Sequence, residues 1–233
     1  MLDAADSTNA EALRLADRIS GPCWILARRQ TAGRGRRGRA WTDPPGNFAA
    51  SLLIRPGDPP ARLALRSFVA GLALHDALSA LTGLAAPFAL KWPNDVLLNG
   101  GKLSGILLET APNGALIVGI GVNLRAAPPA DAEALFPPVA LRTETGIDLP
   151  AERLLDHLAP AFAQWEDRLR RYGFEPVRDA FLARAARLGA PIQARTPTRV
   201  YEGRFETIDA DGALVLATAS GRVSVPAADV FFP

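Results

Sequence analysis

The side chains most suggestive of chemistry in this 233-residue chain are Lys91 and Lys102. They are the only lysines among 26 basic residues; every other basic side chain is arginine. Arginine is a rigid planar fork, whereas a lysine ammonium is a compact, rotatable point charge. A chain that keeps lysine only here points to a task needing a single-point cation, against the competing reading of chance placement. The lysines bracket Asn94 and Asp95, in the segments KWPND (91–95) and GGKLSG (100–105). Two ammonium groups, an amide and a carboxylate at turn positions beside strand ends could hold a polyphosphate and its Mg²⁺. The competing reading of Asp95 is a turn residue after Pro93.

The second cluster is the loop GRGRRGR (33–39). Glycines at 33, 35 and 38 let the backbone approach a ligand closely. Arginines at 34, 36, 37 and 39 supply forks suited to carboxylate and phosphate. The spacing is neither a Walker loop nor a clean dinucleotide fingerprint. Taken alone, the loop suits a cover over an anionic ligand or a basic nucleic-acid contact equally well. Trp41 follows directly, and a flat ring beside a phosphate-binding loop suits a purine; a core tryptophan is the alternative, as expected for Trp24 and Trp92. Ser7, Thr8 and Asn9 open a helical pattern and Gln30 ends a strand-like run, so they could bind a polar ligand or simply cap. The glycines of VGIGVN (118–123) permit close backbone approach or mark a bulge, and Asn123 could read an adenine edge or close a turn.

The composition, 48% apolar and 21% charged residues, is that of an ordinary globular chain. The net charge of +2 is uneven, because residues 28–39 hold six arginines and no acid, leaving the remainder acidic. A broadly basic nucleic-acid coat is thereby excluded. No run of 18 uncharged apolar residues predicts a membrane span, and no secretion signal opens the chain. The lone Cys23 rules out an internal disulfide and fits a reducing cytoplasm. With only His75 and His157, both in helical patterns, a His-rich metal site or a Ser-His-Asp triad is not expected.

Apolar periodicity predicts helices over 8–20 (with capping-box spacing from Thr8 to Glu11), 61–82, 151–171 and 176–187. It predicts strands over 23–28, 48–54, 88–91, 103–109 and 115–122, with turns at 93–95, 99–101 and 112–114. The Pro/Ala-rich stretch 126–140 reads as an irregular loop. From Gly189 the pattern changes to short alternating runs, 191–195, 199–208, 213–217 and 222–225, which predict a small all-β barrel. These runs divide the chain into a larger domain, 1–187, and a small one, 188–233.

STN at 7–9, Q-x2-GRGRRGR at 30–39, Trp41, KWPND at 91–95, GGKLSGIL at 100–107 and GIGVNL at 119–124 together resemble the biotin–protein ligases. Order and spacing match that family over residues 8–125, and the β-rich tail is similar to its small SH3-like domain. The resemblance implies an α+β fold: a mixed β-sheet packed on helices, like the class II aminoacyl-tRNA synthetases, with a C-terminal SH3-like barrel. With STN at residue 7, it is to the monofunctional class without a DNA-binding domain. It implies ATP-dependent, Mg²⁺-dependent activation of biotin to biotinyl-5′-adenylate, then transfer to a lysine of a biotin carboxyl carrier protein. Carried over by position, Ser7, Thr8, Asn9, Gln30, Gly33, Arg34, Gly35, Arg36, Lys102, Gly105 and Gly119 would bind biotin. Arg34, Arg36, Arg37, Arg39, Trp41, Lys91, Asn94 and Asn123 would bind ATP or the adenylate. Lys102, Arg36, Lys91 and Asp95 would carry catalysis, with Asp95 a candidate Mg²⁺ ligand. The expected setting is cytoplasmic, without specific DNA or membrane binding, and the family's sheet-edge dimers leave a homodimer open. The family usually has an extra short strand before STN, which the start of this chain leaves little room for. A lipoate ligase or acyltransferase of the same superfamily is the alternative; the arginine-rich loop and the tail argue against it.

Overall fold

Strands without internal turn residues and buried on both faces set the centre of the molecule. Its structure, a computed structural model, describes residues 1–129 and 136–232. Phe48–Ile54 (β2) is buried along its whole length. It lies between Cys23–Ala27 (β1) and Leu116–Val122 (β6). Gly101–Thr110 (β5), Asp95–Leu98 (β4) and Phe88–Lys91 (β3) complete a six-stranded sheet in the order β1-β2-β6-β5-β4-β3. Neighbouring strands are antiparallel, while parallel bridges such as Leu2↔Ala27, Ala5↔Gln30 and Leu90↔Ala185 add to both edges. The segment before STN, where the start of the chain leaves little room for a strand, still pairs with the sheet edge through the bridges at Leu2 and Ala5.

Side chains alternate between the two faces of a strand. Phe48, Ala50 and Leu52 of β2, with Val118 and Ile120 of β6, belong to the main core with Arg66–Thr82 (α3), Ala151–Tyr172 (α5) and Glu175–Leu182 (α6). Arg66, almost fully buried, joins α3 to α5 through a two-toothed pair with Glu166, 3.1 and 2.7 Å. The opposite face carries Leu53 and Ile117 against Thr8–Leu15 (α1), in a smaller cluster with Ala12 and Ile25. It is on this second face that the candidate residues gather.

Pro191–Arg195 (β7), Val200–Ile208 (β8), Leu214–Thr218 (β9), Gly221–Val225 (β10) and Asp229–Phe231 (β11) form a five-stranded antiparallel sheet, ordered β10-β9-β8-β7-β11. It shares a core with the large sheet through Ile192, Phe205, Leu214 and Val230. The indole N–H of Trp92 donates to Gly212 O at 3.0 Å across the junction. Trp92 is a core residue as expected, and Trp24 packs edge-on against Phe162.

Several expectations are corrected. The first helix ends at Leu15, and Ser7 rather than Thr8 is its N-cap, without a side-chain cap bond. The 61–82 helix is two: Pro60–Leu63 (α2), then α3. By length and composition that segment could cross a membrane, which the sequence reading missed, but 72% of its most apolar window is buried inside this fold. Asp95 does not sit in a turn; it opens β4, after a cis peptide at Trp92–Pro93. Strands β4 and β11 and a short helix, Leu141–Thr145 (α4), were not foreseen. Of the expected loop 126–140, residues 130–135 lie outside the described residues, and 137–139 pair with β5: Lys102 N donates to Pro137 O at 2.9 Å, Val139 N to Lys102 O at 3.0 Å.

Candidate active site

Antiparallel register lays the site out in rows. Lys91, Asp95, Gly105, Gly121 and Ala49 are successive cross-strand partners through β3, β4, β5, β6 and β2, and so share one face. The next row on that face runs Leu107, Gly119, Ser51. Lys102 would point away from Asp95 if the β4–β5 ladder were regular. A bulge between Val96 and Leu97 shifts the register so that Lys102 pairs with Leu97, on the Asp95 side. One inserted residue thus brings the second lysine into the site.

The two lysines converge on one carboxylate. Lys91 Nζ is 3.1 Å from Asp95 Oδ2, and Lys102 Nζ is 2.8 Å from Asp95 Oδ1. Burial works to raise the Asp95 carboxyl; the ammonium groups of Lys91 and Lys102 overcome it and hold the group below its ordinary value. Lys91 is sealed in, at 9% side-chain exposure, with its ammonium 4.7 Å from the Phe136 ring centroid. Lys102 keeps 34% side-chain exposure and opens onto a cavity of about 480 Å³.

At the far end of the cavity α1 presents its first turn to the sheet. Thr8 donates to Gln30 Oε1 through its backbone N–H, 2.8 Å, and its hydroxyl, 3.2 Å. Ser51 Oγ, fully buried, donates to Asn9 Oδ1 at 2.6 Å and lies 2.8 Å from Thr8 Oγ1. Asn9 Nδ2 donates to Glu109 Oε2 at 2.7 Å, and the same oxygen accepts from Arg34 at 3.1 Å. The Asn9 amide is therefore fixed in orientation from both ends. Gly119 is required beneath it, because a Cβ there would run into the amide oxygen. Gly105 and Gly121 leave room for the Trp41 indole, which lies against the sheet with its N–H buried and without a partner among the described residues.

The arginine loop closes over this floor. Arg36 donates to Asn94 Oδ1 at 3.0 Å, and Asn94 Nδ2 donates to Ile106 O at 2.8 Å, fastening the loop to β5. Burial pushes the Arg36 guanidinium below its ordinary range, opposed by the charges of Asp229 and Asp95. At the loop's base the Asp43 carboxyl is pushed up to about 6 by burial, while hydrogen bonds from Gln30 act to lower it.

The structure brings Ser7, Thr8, Asn9, Gln30, Arg34, Gly35, Arg36, Arg39, Trp41, Lys91, Asn94, Asp95, Lys102, Gly105 and Gly119 to this one cavity. Gly33, Arg37 and Asn123 are not in its lining. Gly33 sits behind it against Trp41, Arg37 turns to Asp229, and Asn123 is buried 3.5 Å from the Asn47 amide. Sequence reasoning missed Ser51 and Glu109, and missed Arg195 and Asp229, which line the cavity from the small sheet. Ser51 had a signal: a lone hydroxyl inside the apolar run FAASLLI. The other three had none that set them apart from surface charges.

Residues 4–125 match the family model for the biotin/lipoate A/B protein ligases, and residues 188–232 match that for the biotin protein ligase C-terminal domain. The chain is 57% identical over 238 residues to a biotin–[acetyl-CoA-carboxylase] ligase of Paracoccus denitrificans, covering 100% of this chain and 99% of that protein. It is 30% identical over 222 residues to the bifunctional ligase/repressor BirA of Escherichia coli, covering 93% of this chain and 68% of that protein. Among solved structures, the biotin protein ligase of Aquifex aeolicus in complex with biotin and ATP superposes with a TM-score of 0.88 at 27% identity, covering 100% of this chain and 97% of that one. The chain belongs to the biotin/lipoate A/B protein ligase family, and within it to the biotin protein ligases.

Proposed function

We propose that this chain activates biotin with ATP and transfers the biotinyl group to a specific lysine of a biotin carboxyl carrier protein. The observation that carries this reading is the pair of lysines on Asp95 in the cavity that also holds Thr8, Asn9 and the arginine loop. In the first step a biotin carboxylate oxygen attacks the α-phosphorus of ATP. The bond from that phosphorus to the bridging oxygen breaks, and pyrophosphate leaves with the electron pair. Two anions must meet, so fixed cations lower the barrier. Lys102, the more open ammonium, bridges carboxylate and α-phosphate, while Lys91 keeps Asp95 charged and Lys102 in place. Arg34, Gly35 and Arg36 hold the valeryl chain and phosphate; Ser7, Thr8, Asn9 and Gln30 hold the ureido ring. Trp41 holds adenine, while Asn123, buried beside Asn47 outside the cavity lining, is left without that role. In the second step the neutral amine of the carrier lysine attacks the acyl carbon, AMP leaves, and the amine sheds a proton. The closed loop keeps water from the mixed anhydride meanwhile.

Mg²⁺ enters as the counter-ion of the nucleotide. This chain's own donors do not fit a protein-held magnesium: each Asp95 oxygen faces an ammonium, and no three His, Cys, Asp or Glu side chains cluster among the described residues. We also propose that the chain divides near residue 188, as the change of sheet suggests, and that it works in the cytoplasm, where ATP and a free thiol at Cys23 are at home. A sheet-edge homodimer has less support, because Leu2–Ala5 and Arg184–Ala186 already bond to the two edge strands of the large sheet. Incubation with ATP, Mg²⁺ and biotin, read by mass spectrometry, should yield biotinyl-5′-adenylate. Lipoyl-adenylate from a parallel incubation, with none from biotin, would overturn the assignment.

A further inference from the structure

The cavity lining carries six cationic side chains and only two acids, Asp95 and Asp229. Asp95 is committed to the lysines. Asp229, on β11 of the small sheet, spends its carboxylate on the arginine loop of the large one. Its Oδ2 accepts from Arg37 at 2.7 Å and its Oδ1 from Arg39 at 3.1 Å. Two guanidinium groups converging on one carboxylate is an arrangement that phosphate also takes. Arg195 stands next to Asp229 in register and lines the same cavity, with its guanidinium 4.6 Å from the Phe231 ring centroid. At the tip of the loop, Arg37 and Gly38 have φ of 57° and 73°, a left-handed reversal within a 3₁₀ turn.

We propose that Asp229 stands in for phosphate. It seats Arg37 and Arg39 before nucleotide arrives, and the two outer phosphates of ATP take those guanidinium groups over, with Arg195 beside them. The small sheet thereby becomes part of the subsite for the leaving pyrophosphate. This rests on the ligase reading above. A carboxylate that must be displaced weakens binding of its competitor. Exposed charge pairs of this kind are individually weak, so Asp229→Asn should tighten ATP and pyrophosphate by about two- to tenfold. AMP, which lacks the outer phosphates, and biotin should bind as before.

The experiment is titration calorimetry of the full chain with ATP, pyrophosphate, AMP and biotin, paired with trypsin cleavage at the loop arginines. Asp229→Asn should be cut faster than wild type without nucleotide and at the same rate with ATP. Asp229→Glu, which keeps the carboxylate, should restore wild-type behaviour in both assays. Weaker ATP binding in Asp229→Asn, an AMP shift as large as the ATP shift, or unchanged cleavage without nucleotide would each overturn the proposal. Should wild type form biotinyl-adenylate while the ATP–AMP contrast is missing, the stand-in role fails and the ligase reading holds. Should wild type form no adenylate, the ligase reading fails, and the contrast still decides the role of Asp229.

Discussion

Replacing each lysine by methionine in turn should separate stability from catalysis at one carboxylate. Lys91 and Asp95 are both nearly sealed, at 9% and 8% side-chain exposure, and lie 3.1 Å apart. With an effective dielectric of about 20, that separation corresponds to roughly 5 kcal/mol of attraction, much of it spent on desolvation. Breaking a buried pair from one side costs about 3–5 kcal/mol, and Asp95 keeps Lys102, so Lys91→Met belongs near the lower figure. For a chain of this size, about 3 kcal/mol lowers Tm by roughly 6–12 °C. Lys102 is 2.8 Å from the same group but 34% exposed in its side chain, so solvent screens the pair and Lys102→Met should cost about 1 kcal/mol. The rates should order the other way. Loss of one preorganised cation at the reacting centre costs on the order of 10²–10³ in rate, so biotin-dependent ATP–pyrophosphate exchange should collapse in Lys102→Met. Lys102→Arg should also lose most exchange while keeping the fold, because a guanidinium fork replaces a single-point donor. Thermal melts and exchange assays on these variants check the argument. A Lys102→Met protein less stable than Lys91→Met, or one with wild-type exchange, would refute it.

Three further outcomes follow from the geometry. Arg36→Gly, which removes the tie to Asn94, should loosen retention of the adenylate and raise labelling of bystander lysines; unchanged leakage would remove Arg36 from the covering role. Ser51→Ala leaves the buried oxygens of Thr8 and Asn9 short of a partner, so it should cost about 1–2 kcal/mol of stability and raise the KM for biotin with little change for ATP; equal effects on both substrates would contradict the placement of that cluster. Burial pushes the Asp43 carboxyl up to about 6 from an ordinary 3.8, so the stability it contributes is whole below pH 3.8 and lost as pH rises through about 6. Asp43→Asn should therefore gain about 1 kcal/mol over wild type near pH 7.5, after allowing for partial exposure, and nothing near pH 4; a gain that ignores pH would point elsewhere.

Much of this site was legible in one dimension because its chemistry is unusual in composition. Two lysines in an arginine chain, and a glycine–arginine loop, announce themselves without a fold. Five of the six strands of the large sheet were also readable, since apolar runs bounded by turns leave few choices; β4 was not, because its four residues follow directly on a turn signal. The buried Arg66–Glu166 pair and the ties of Glu109 were not, because each joins residues far apart in sequence. Nor was Asp229, whose partners lie about 190 positions away and whose strand is three residues long.

Residue type alone marked the cations: two lysines in an arginine chain and a glycine–arginine loop. Which cations meet was settled only in three dimensions. Strand parity sets Lys102 and Asp95 on opposite faces, and the bulge at Val96–Leu97 reverses it. A bulge is a compromise between two strands' hydrogen bonding and the packing of both faces, so neither strand's sequence contains it alone.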